Sequence, residues 1–180
     1  MPADPLTIPP EVELVRSFVN TLDVDGETDE LAHPDDLAAW LARAGLVPAG
    51  TVASGRDLRI ALHLRAALRA ELLANHDGDL APADRATLDE VYRELPLHAV
   101  GAAEALAPAA SGPRGGLSAI VAAAVTSRIK GTWSRLKICP AEDCRWGFYD
   151  TSRNRSKRWC SMEVCGNRNK VRAYRDRTHA

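Results

Sequence analysis

The sequence predicts a mainly α-helical protein, with a multihelical domain over residues 1–134 and a small metal-stabilised domain over residues 135–180. Three observations support this prediction. Apolar residues recur every three or four positions through most of the first 130 residues, which is typical of amphipathic helices. All four cysteines lie in the last 42 residues, in two pairs of identical spacing. Those 42 residues carry ten Lys or Arg against five Asp or Glu, although the whole chain has a net charge of −1.

Two helices are predicted in the first third of the chain. The first, at residues 11–22, has an apolar stripe made of Val12, Val15, Phe18, Val19 and Leu22. The second begins near Pro34, has Asp35 and Asp36 in its first turn, and ends at Gly45. Proline and acidic residues favour the first turn of a helix, and glycine favours its end.

Three further helices complete the predicted N-terminal domain. Ser54-Gly-Arg-Asp57 resembles a capping box and opens a long helix to about Asn75, whose arginines we expect on its solvent face. Another helix runs from about residue 83 to residue 95 and is stopped by Pro96. Residues 97–115 fit either a short hairpin or an irregular crossing. The most apolar helix follows at residues 116–130, and we expect it in the interior.

The two cysteine pairs are the most specific feature of the sequence. Cys139 and Cys144 are separated by four residues, as are Cys160 and Cys165. Two such pairs deliver four thiolates to one tetrahedral Zn²⁺. Two disulfides, a redox switch or unlinked structural cysteines are the alternatives. The first ten residues show no export signal, so we expect a cytoplasmic protein with reduced thiols, and zinc is favoured.

The residues around the cysteines predict a treble-clef-like zinc finger, in which a knuckle, a β-hairpin and a helix follow one another. Residues 145–149 are rich in strand-favouring aromatics, and residues 157–159 are expected to return as the second strand. The stretch after Cys165 suits a helix. We expect Trp146, Phe148, Tyr149 and Trp159 to form a small core, with Val171 and Tyr174 packed on the hairpin.

Basic residues cluster in the finger and predict an anionic partner. On a helix, Arg168, Arg172 and Arg175 share one face. In an extended segment, Arg153, Arg155 and Lys157 would all point the same way. The candidate nucleic-acid contacts are therefore Arg153, Arg155, Lys157, Arg158, Arg168, Lys170, Arg172 and Arg175. The alternative is that these side chains only solvate a small domain.

The finger resembles a known family. Cys165-Gly-Asn-Arg168 spells the motif of the CGNR zinc fingers, and Asp150-Thr-Ser152 and Arg158-Trp-Cys-Ser-Met162 also look like that family's pattern. The resemblance covers about residues 137–177. It implies a C-terminal zinc domain, regarded as DNA-binding, in bacterial proteins proposed to be transcription regulators.

The N-terminal part resembles the ABATE domain, a partner of this finger. The residues that carry this resemblance are Phe18-Val-Asn-Thr-Leu-Asp23, Asp36-Leu-Ala-Ala-Trp-Leu41 and the helix from Leu58 to Leu72. It covers roughly residues 12–130 and implies a multihelical domain in proposed stress-linked regulators. Asn20 and Thr21, next to Phe18, either cap the first helix or form one wall of an effector pocket.

Catalytic motifs are not found in the sequence. It has no glycine-rich phosphate loop, no Gly-x-Ser-x-Gly elbow and no His-Glu-x-x-His helix, and its five histidines are isolated. No apolar stretch approaches the length of a membrane span. We therefore expect a regulator that is not an enzyme, whose helical domain dimerises or senses an effector and whose finger contacts DNA. The alternative is a protein-interaction module in which zinc only shapes a basic surface.

Overall fold

The architecture was obtained as a computed structural model, which describes residues 7–76, 78–101 and 105–178. Most of these residues are helical. The helices are α1 (Pro10–Val19), α2 (Pro34–Arg43), α3 (Gly55–Ala74), α4 (Pro82–Glu94), α5 (Gly112–Ile129) and α6 (Asn167–Thr178). Within the described ranges, no helix is both long and apolar enough to cross a membrane. The prediction of a mainly α-helical protein is confirmed.

In the part of the chain that the structure describes, three small antiparallel hairpins connect the helices. The strands are β1 (Leu22–Asp23), β2 (Thr28–Asp29), β3 (Leu97–Val100), β4 (Ala105–Pro108), β5 (Leu136–Ile138) and β6 (Gly147–Tyr149). They pair as β1–β2, β3–β4 and β5–β6. The segment after Pro96 is therefore a short hairpin, which was one of the two structures that the sequence left open.

The predicted apolar stripes form the main core. Val12, Val15 and Phe18 of α1 are fully buried, and the Phe18 ring lies 5.4 Å from the Trp40 ring of α2. Helix α5 runs through the interior, with Leu117 and other small or branched residues inaccessible to solvent. Its burial explains why it is the most apolar helix. The predicted capping box at α3 is present, because the Ser54 hydroxyl accepts a hydrogen bond from the Asp57 amide at 3.2 Å.

The arginines of α3 do not all face solvent, so that expectation was wrong for two of them. Arg65 is buried and makes a bidentate pair with Asp29 of β2, with nitrogen–oxygen distances of 2.7 and 2.6 Å. Arg69 is half-buried and donates to the carbonyl oxygen of Val19 at 2.7 Å. A guanidinium can be buried when its donors are satisfied in this way. These two side chains tie α3 to the end of α1 and to the β1–β2 hairpin.

The hairpin of the finger differs from the prediction in its strand pairing. Strand β6 was predicted, but its partner is β5, which precedes the first cysteine pair, and not residues 157–159. The first knuckle therefore lies in the connection between the two strands. Leu136 and Ile138 of β5 belong to the main core of the helical domain. Burial of these apolar side chains against the helices explains why β5, with no strong turn signal beside it, becomes the partner.

Candidate metal centre and basic finger surface

The four cysteines meet at one point. Their Sγ atoms all lie within 4.8 Å of one another. Cys160 Sγ is 3.6 Å from Cys144 Sγ and 3.6 Å from Cys165 Sγ. Four sulfurs around a tetrahedral zinc at a Zn–S distance of about 2.3 Å would be about 3.8 Å apart. The thiols are not joined as disulfides. The cluster is able to bind a metal ion, and its spacing suits zinc.

The chemistry of the metal-free thiols also points to a cation. Burial is the largest cause that raises the pKa of Cys165, to about 11, and burial raises that of Cys160 still further. Neighbouring sulfurs add to the effect for Cys160, because thiolates that lie close together repel one another. A bound cation would keep the Cys160 and Cys165 thiolates charged at neutral pH. Metal binding must release protons and strengthens as the pH rises.

Local backbone structure presents each cysteine pair. In the first knuckle, Cys139 N donates to Trp146 O at 2.8 Å and closes the β5–β6 hairpin, while Arg145 takes a left-handed conformation with φ of 52°. In the second, Ser161 Oγ accepts from the Val164 amide at 3.3 Å and caps a π-helical turn, Met162–Gly166, that leads into α6. This places one pair on a hairpin and the other at a helix start, as the treble-clef prediction requires.

An apolar cluster supports the metal site. It contains the buried residues Cys139, Ala141, Cys144, Phe148 and Cys165, with Trp146, Trp159 and Cys160 packed at its edge. Three of the four aromatics predicted as the small core are therefore in it. The fourth, Tyr149, packs against the main core instead. Such a cluster is small, and in small domains of this kind a bound metal supplies much of the folding free energy.

Side chains of the helical domain hold the finger through its backbone. Asn20 Nδ2 donates to Gly147 O at 2.9 Å, and Gly147 N donates to Asn20 Oδ1 at 2.7 Å. Arg69 Nη2 donates to Arg145 O at 2.9 Å. On the other strand, Asn75 Nδ2 donates to Leu136 O at 2.9 Å. A Cβ on Gly147 would lie 2.8 Å from Asn20 Oδ1, so only glycine fits this close approach.

These contacts bear on the effector pocket predicted at Phe18, Asn20 and Thr21. Phe18 is fully buried in the core, and the Asn20 amide is taken up by Gly147. Thr21 Oγ1 donates to Phe18 O at 2.8 Å and accepts from Arg65 Nη1 at 2.9 Å. The geometry therefore gives these residues structural partners inside the protein. Effector binding at this place stays a prediction.

A buried ion pair shapes the loop between the knuckles. Lys137 and Asp150 are both buried, with Lys137 Nζ 2.9 Å from Asp150 Oδ2. The same ammonium donates to Arg155 O at 2.7 Å. Asp150 also accepts from Ser152 N at 2.9 Å and from Lys157 N at 2.9 Å. The loop is thus folded around two opposite charges, and the sequence did not indicate that these two residues form a pair.

Four of the predicted nucleic-acid contacts lie on this loop, which we call the basic loop (residues 153–158). It is a turn and not an extended segment, and Arg155 has a φ of 54°. The expectation of three alternating side chains in an extended segment was therefore wrong. Arg155, Lys157 and Arg158 instead line one cavity of about 260 Å³ together with Lys137 and His76. Arg153 is exposed at the tip of the loop.

The other four predicted contacts lie on α6, where two of the arginines have acidic partners. Arg168 Nη1 lies 2.9 Å from Asp143 Oδ2 and 3.3 Å from Asp25 Oδ1. Arg172 Nη2 lies 3.5 Å from Asp143 Oδ2. Arg168, Arg172 and Arg175 do line one shallow groove, so the helical geometry was predicted correctly, and Lys170 is exposed.

Two apolar residues of α6 are not where we expected them. Val171 is 50% exposed and Tyr174 is 63% exposed, so neither is buried against the hairpin. The start of α6 is instead held by the ion pairs of Arg168, which connect the helix to Asp143 of the first knuckle and to Asp25 of the β1–β2 turn. Arg168, the last residue of the Cys-Gly-Asn-Arg motif, therefore positions the start of α6.

Comparison with protein-family models identifies both parts of the chain. Residues 13–129, about two thirds of the sequence, match the ABATE family, which is described as "putative stress-induced transcription regulator". The chain belongs to the ABATE family. Residues 135–178 match the CGNR zinc finger. The ABATE domain and the finger follow one another in the order that the sequence predicted, and together they are consistent with a regulatory protein. No curated protein gave a significant match.

Several residues that hold the site were not found by sequence reasoning. Lys137, Arg69, Asn75 and His76 all bind the finger's backbone, and His76 Nε2 lies 2.7 Å from Ile138 O. A lysine two residues before a cysteine ligand carries no sequence signal of burial. The three residues on or after α3 lie far from the finger in sequence, so only the fold reveals their contacts.

Proposed function

We propose that the protein is a transcription regulator that binds DNA through the basic loop of its zinc finger, with Zn²⁺ held by Cys139, Cys144, Cys160 and Cys165. The cavity formed by the loop is the observation on which the proposal rests. Its lining contains Lys137, Arg155, Lys157, Arg158 and His76 but no carboxylate. A phosphate group needs such a concentration of donors and positive charge.

The two candidate DNA-binding surfaces, α6 and the basic loop, differ in whether carboxylates lie next to their cationic side chains. Arg168 and Arg172 on α6 share the carboxylate of Asp143, so a phosphate would have to compete with it. Among the described residues, the carboxylate that accepts a hydrogen bond from the basic loop is that of Asp150, which is buried and paired with Lys137. We therefore propose that Arg153, Arg155, Lys157 and Arg158 supply the principal phosphate contacts, and that Lys170 and Arg175 extend them.

Zinc has a structural role in this proposal. The basic loop lies in the segment between Cys144 and Cys160, so a metal ligand precedes it and another follows it in the chain. Zinc supplies the charge that keeps the four thiolates together and thereby fixes the loop over Lys137. The ion itself does not contact DNA. Binding should consequently depend on zinc and on salt.

A charge-matched comparison tests the assignment of the loop. Replacing Arg153, Arg155 and Arg158 together by glutamine is expected to weaken binding to duplex DNA and to reduce the magnitude of the log–log salt slope by about 2.7 if three phosphate contacts are lost. The control replaces three exposed arginines of the helical domain, Arg59, Arg85 and Arg93, by glutamine. It makes the same change in net charge.

Fluorescence anisotropy with a labelled duplex measures both variants across a salt series. The proposal requires that the control keeps the salt slope of the natural sequence. Equal losses in the two triple variants would mean that only net charge matters and would contradict a defined loop surface. Retained binding in the loop variant would move the contact to α6 or to another surface.

A further inference from the structure

The four thiols of the metal centre are not equally accessible. Cys139 is fully buried, and Cys144 and Cys165 are 8% and 3% exposed. Cys160 is the exception, since it is only half-buried. The metal centre is therefore closed on one side and open at Cys160.

A cleft leads from solvent to this open side. It has a volume of about 290 Å³ and lies between the β1–β2 turn of the ABATE domain and the second knuckle. Cys144, Cys160 and Cys165 contribute to its wall, whereas Cys139 does not. At its rim is Val164, which is 51% exposed. A molecule of the size of a small peroxide fits into such a cleft and meets the sulfur of Cys160.

We propose that Cys160 is an oxidation site, at which the thiolate reduces a neutral hydroperoxide that enters this cleft. The thiolate of Cys160 attacks the terminal oxygen of the hydroperoxide. The O–O bond breaks, hydroxide leaves (alkoxide when the reagent is an alkyl hydroperoxide), and an S–O bond forms in a sulfenic acid. A second thiolate, Cys144 or Cys165, each 3.6 Å away, attacks the sulfenic sulfur. This step forms the S–S bond and releases a second hydroxide.

The electron balance of the reaction is complete. The two thiolates together lose two electrons and the hydroperoxide gains them. Its two oxygens leave as two hydroxides, or as one alkoxide and one hydroxide when the reagent is an alkyl hydroperoxide. A disulfide removes two of the four charged zinc ligands, so zinc is released. The cysteines that precede and follow the basic loop are then no longer held together by the metal. Oxidation of Cys160 thus unfolds the finger, and DNA binding is lost with the fold.

The charges of the cleft select the kind of reagent. Asp23 and Asp25 lie at its wall, and Arg168, which also lines it, is paired with Asp25. The four thiolates with zinc add two negative charges. The cleft is therefore anionic, so neutral reagents enter it more readily than anionic ones. This favours hydrogen peroxide and small alkyl hydroperoxides as the oxidants.

The test uses the full chain, purified with one equivalent of zinc, and hydrogen peroxide as the probe. We expect zinc release, followed with a chromogenic chelator, together with a disulfide that contains Cys160 in peptide mass spectra. Val164→Trp fills the rim of the cleft and is expected to slow the release about threefold or more, since oxidation follows access. Val171→Trp, on α6 and equally exposed at 50%, is the matched control and is expected to leave the rate unchanged.

Two results would overturn the inference. One is oxidation of Cys139 as early as Cys160, and the other is equal slowing by both tryptophan substitutions. The inference depends on the zinc centre of the proposed function but not on DNA binding, because its readouts are metal release and thiol mapping. A chain that holds no zinc would contradict the metal assignment as well, whereas a loaded chain without selective Cys160 oxidation would contradict this inference alone.

Discussion

Removing zinc with a chelator is expected to lower the stability of the ABATE domain as well as that of the finger. Metal binding is worth about 10–16 kcal/mol in zinc-finger peptides, so the finger should unfold when it is lost. Strand β5 would then leave the main core, to which Leu136 and Ile138 belong. The polar groups of Asn20 and Asn75 would lose the backbone partners that they now bind.

Thermal unfolding followed by circular dichroism, and hydrogen exchange of α1 and α3, measure this coupling. We expect chelation to lower the melting temperature of the helices and to speed exchange at the end of α1, which contacts β6. The Asn20→Ala variant weakens the connection between the domains, so chelation should affect its helices less. Helices whose melting temperature and exchange do not respond to chelation would show that the two domains fold independently.

Replacing Lys137 by methionine is expected to destabilise the protein by about 3–5 kcal/mol. The substitution leaves the fully buried carboxylate of Asp150 without its cation. Removing one partner of a buried ion pair lowers the free energy of unfolding by about 3–5 kcal/mol, because the other charge stays buried and unpaired. It also removes the donor to Arg155 O, which helps to hold the basic loop. Urea denaturation of the zinc-loaded protein measures the free energy of unfolding.

Two further variants are the controls for Lys137→Met. Lys130 pairs with Glu11 on the surface, with a side chain that is 58% exposed, so Lys130→Met should cost less than about 1 kcal/mol. Adding Asp150→Asn to Lys137→Met removes the orphaned charge and should restore part of the loss. A double variant that is no more stable than Lys137→Met would contradict the charge argument.

The pH dependence of stability follows from the same pair. Burial by itself raises the pKa of Asp150, but hydrogen bonds from Ser152 and Lys137 outweigh it, so the pKa lies below its ordinary value. A carboxyl group with a lowered pKa stabilises the folded state above its unfolded pKa of about 3.9 and loses this contribution as the pH falls below that value. In Lys137→Met the contribution should be lost at a higher pH.

Local signals in the sequence were sufficient to predict most helices. The stripe of α1 and the capping box of α3 act within a few residues, so periodicity and capping rules find them. The predicted end of α1 was wrong: the helix ends at Val19, and Leu22, placed on the predicted helix, belongs to β1. The cysteine spacing likewise indicated the metal site, because two short knuckles and a bound ion impose few other requirements on the sequence.

The features that the sequence could not reveal are those that depend on distant partners. Arg65 resembles any surface arginine until Asp29 is seen beside it, 36 positions earlier in the chain. The strand-like residues 147–149 were recognised, but burial of β5 in the core of another domain decides which segment pairs with them. The ion pairs of Arg168 involve Asp143 and Asp25, and no spacing rule connects these three residues.

The measurement that tests the central claim most directly is DNA binding by the zinc-loaded protein before and after chelation. Fluorescence anisotropy with labelled duplex DNA, repeated across a salt series, gives both affinity and salt slope. We expect binding with a log–log slope near −4.5 if about five phosphates are contacted, loss of binding on chelation, and recovery on adding zinc. A zinc-loaded protein that does not bind duplex DNA even at low salt would contradict the account and favour a protein-interaction module.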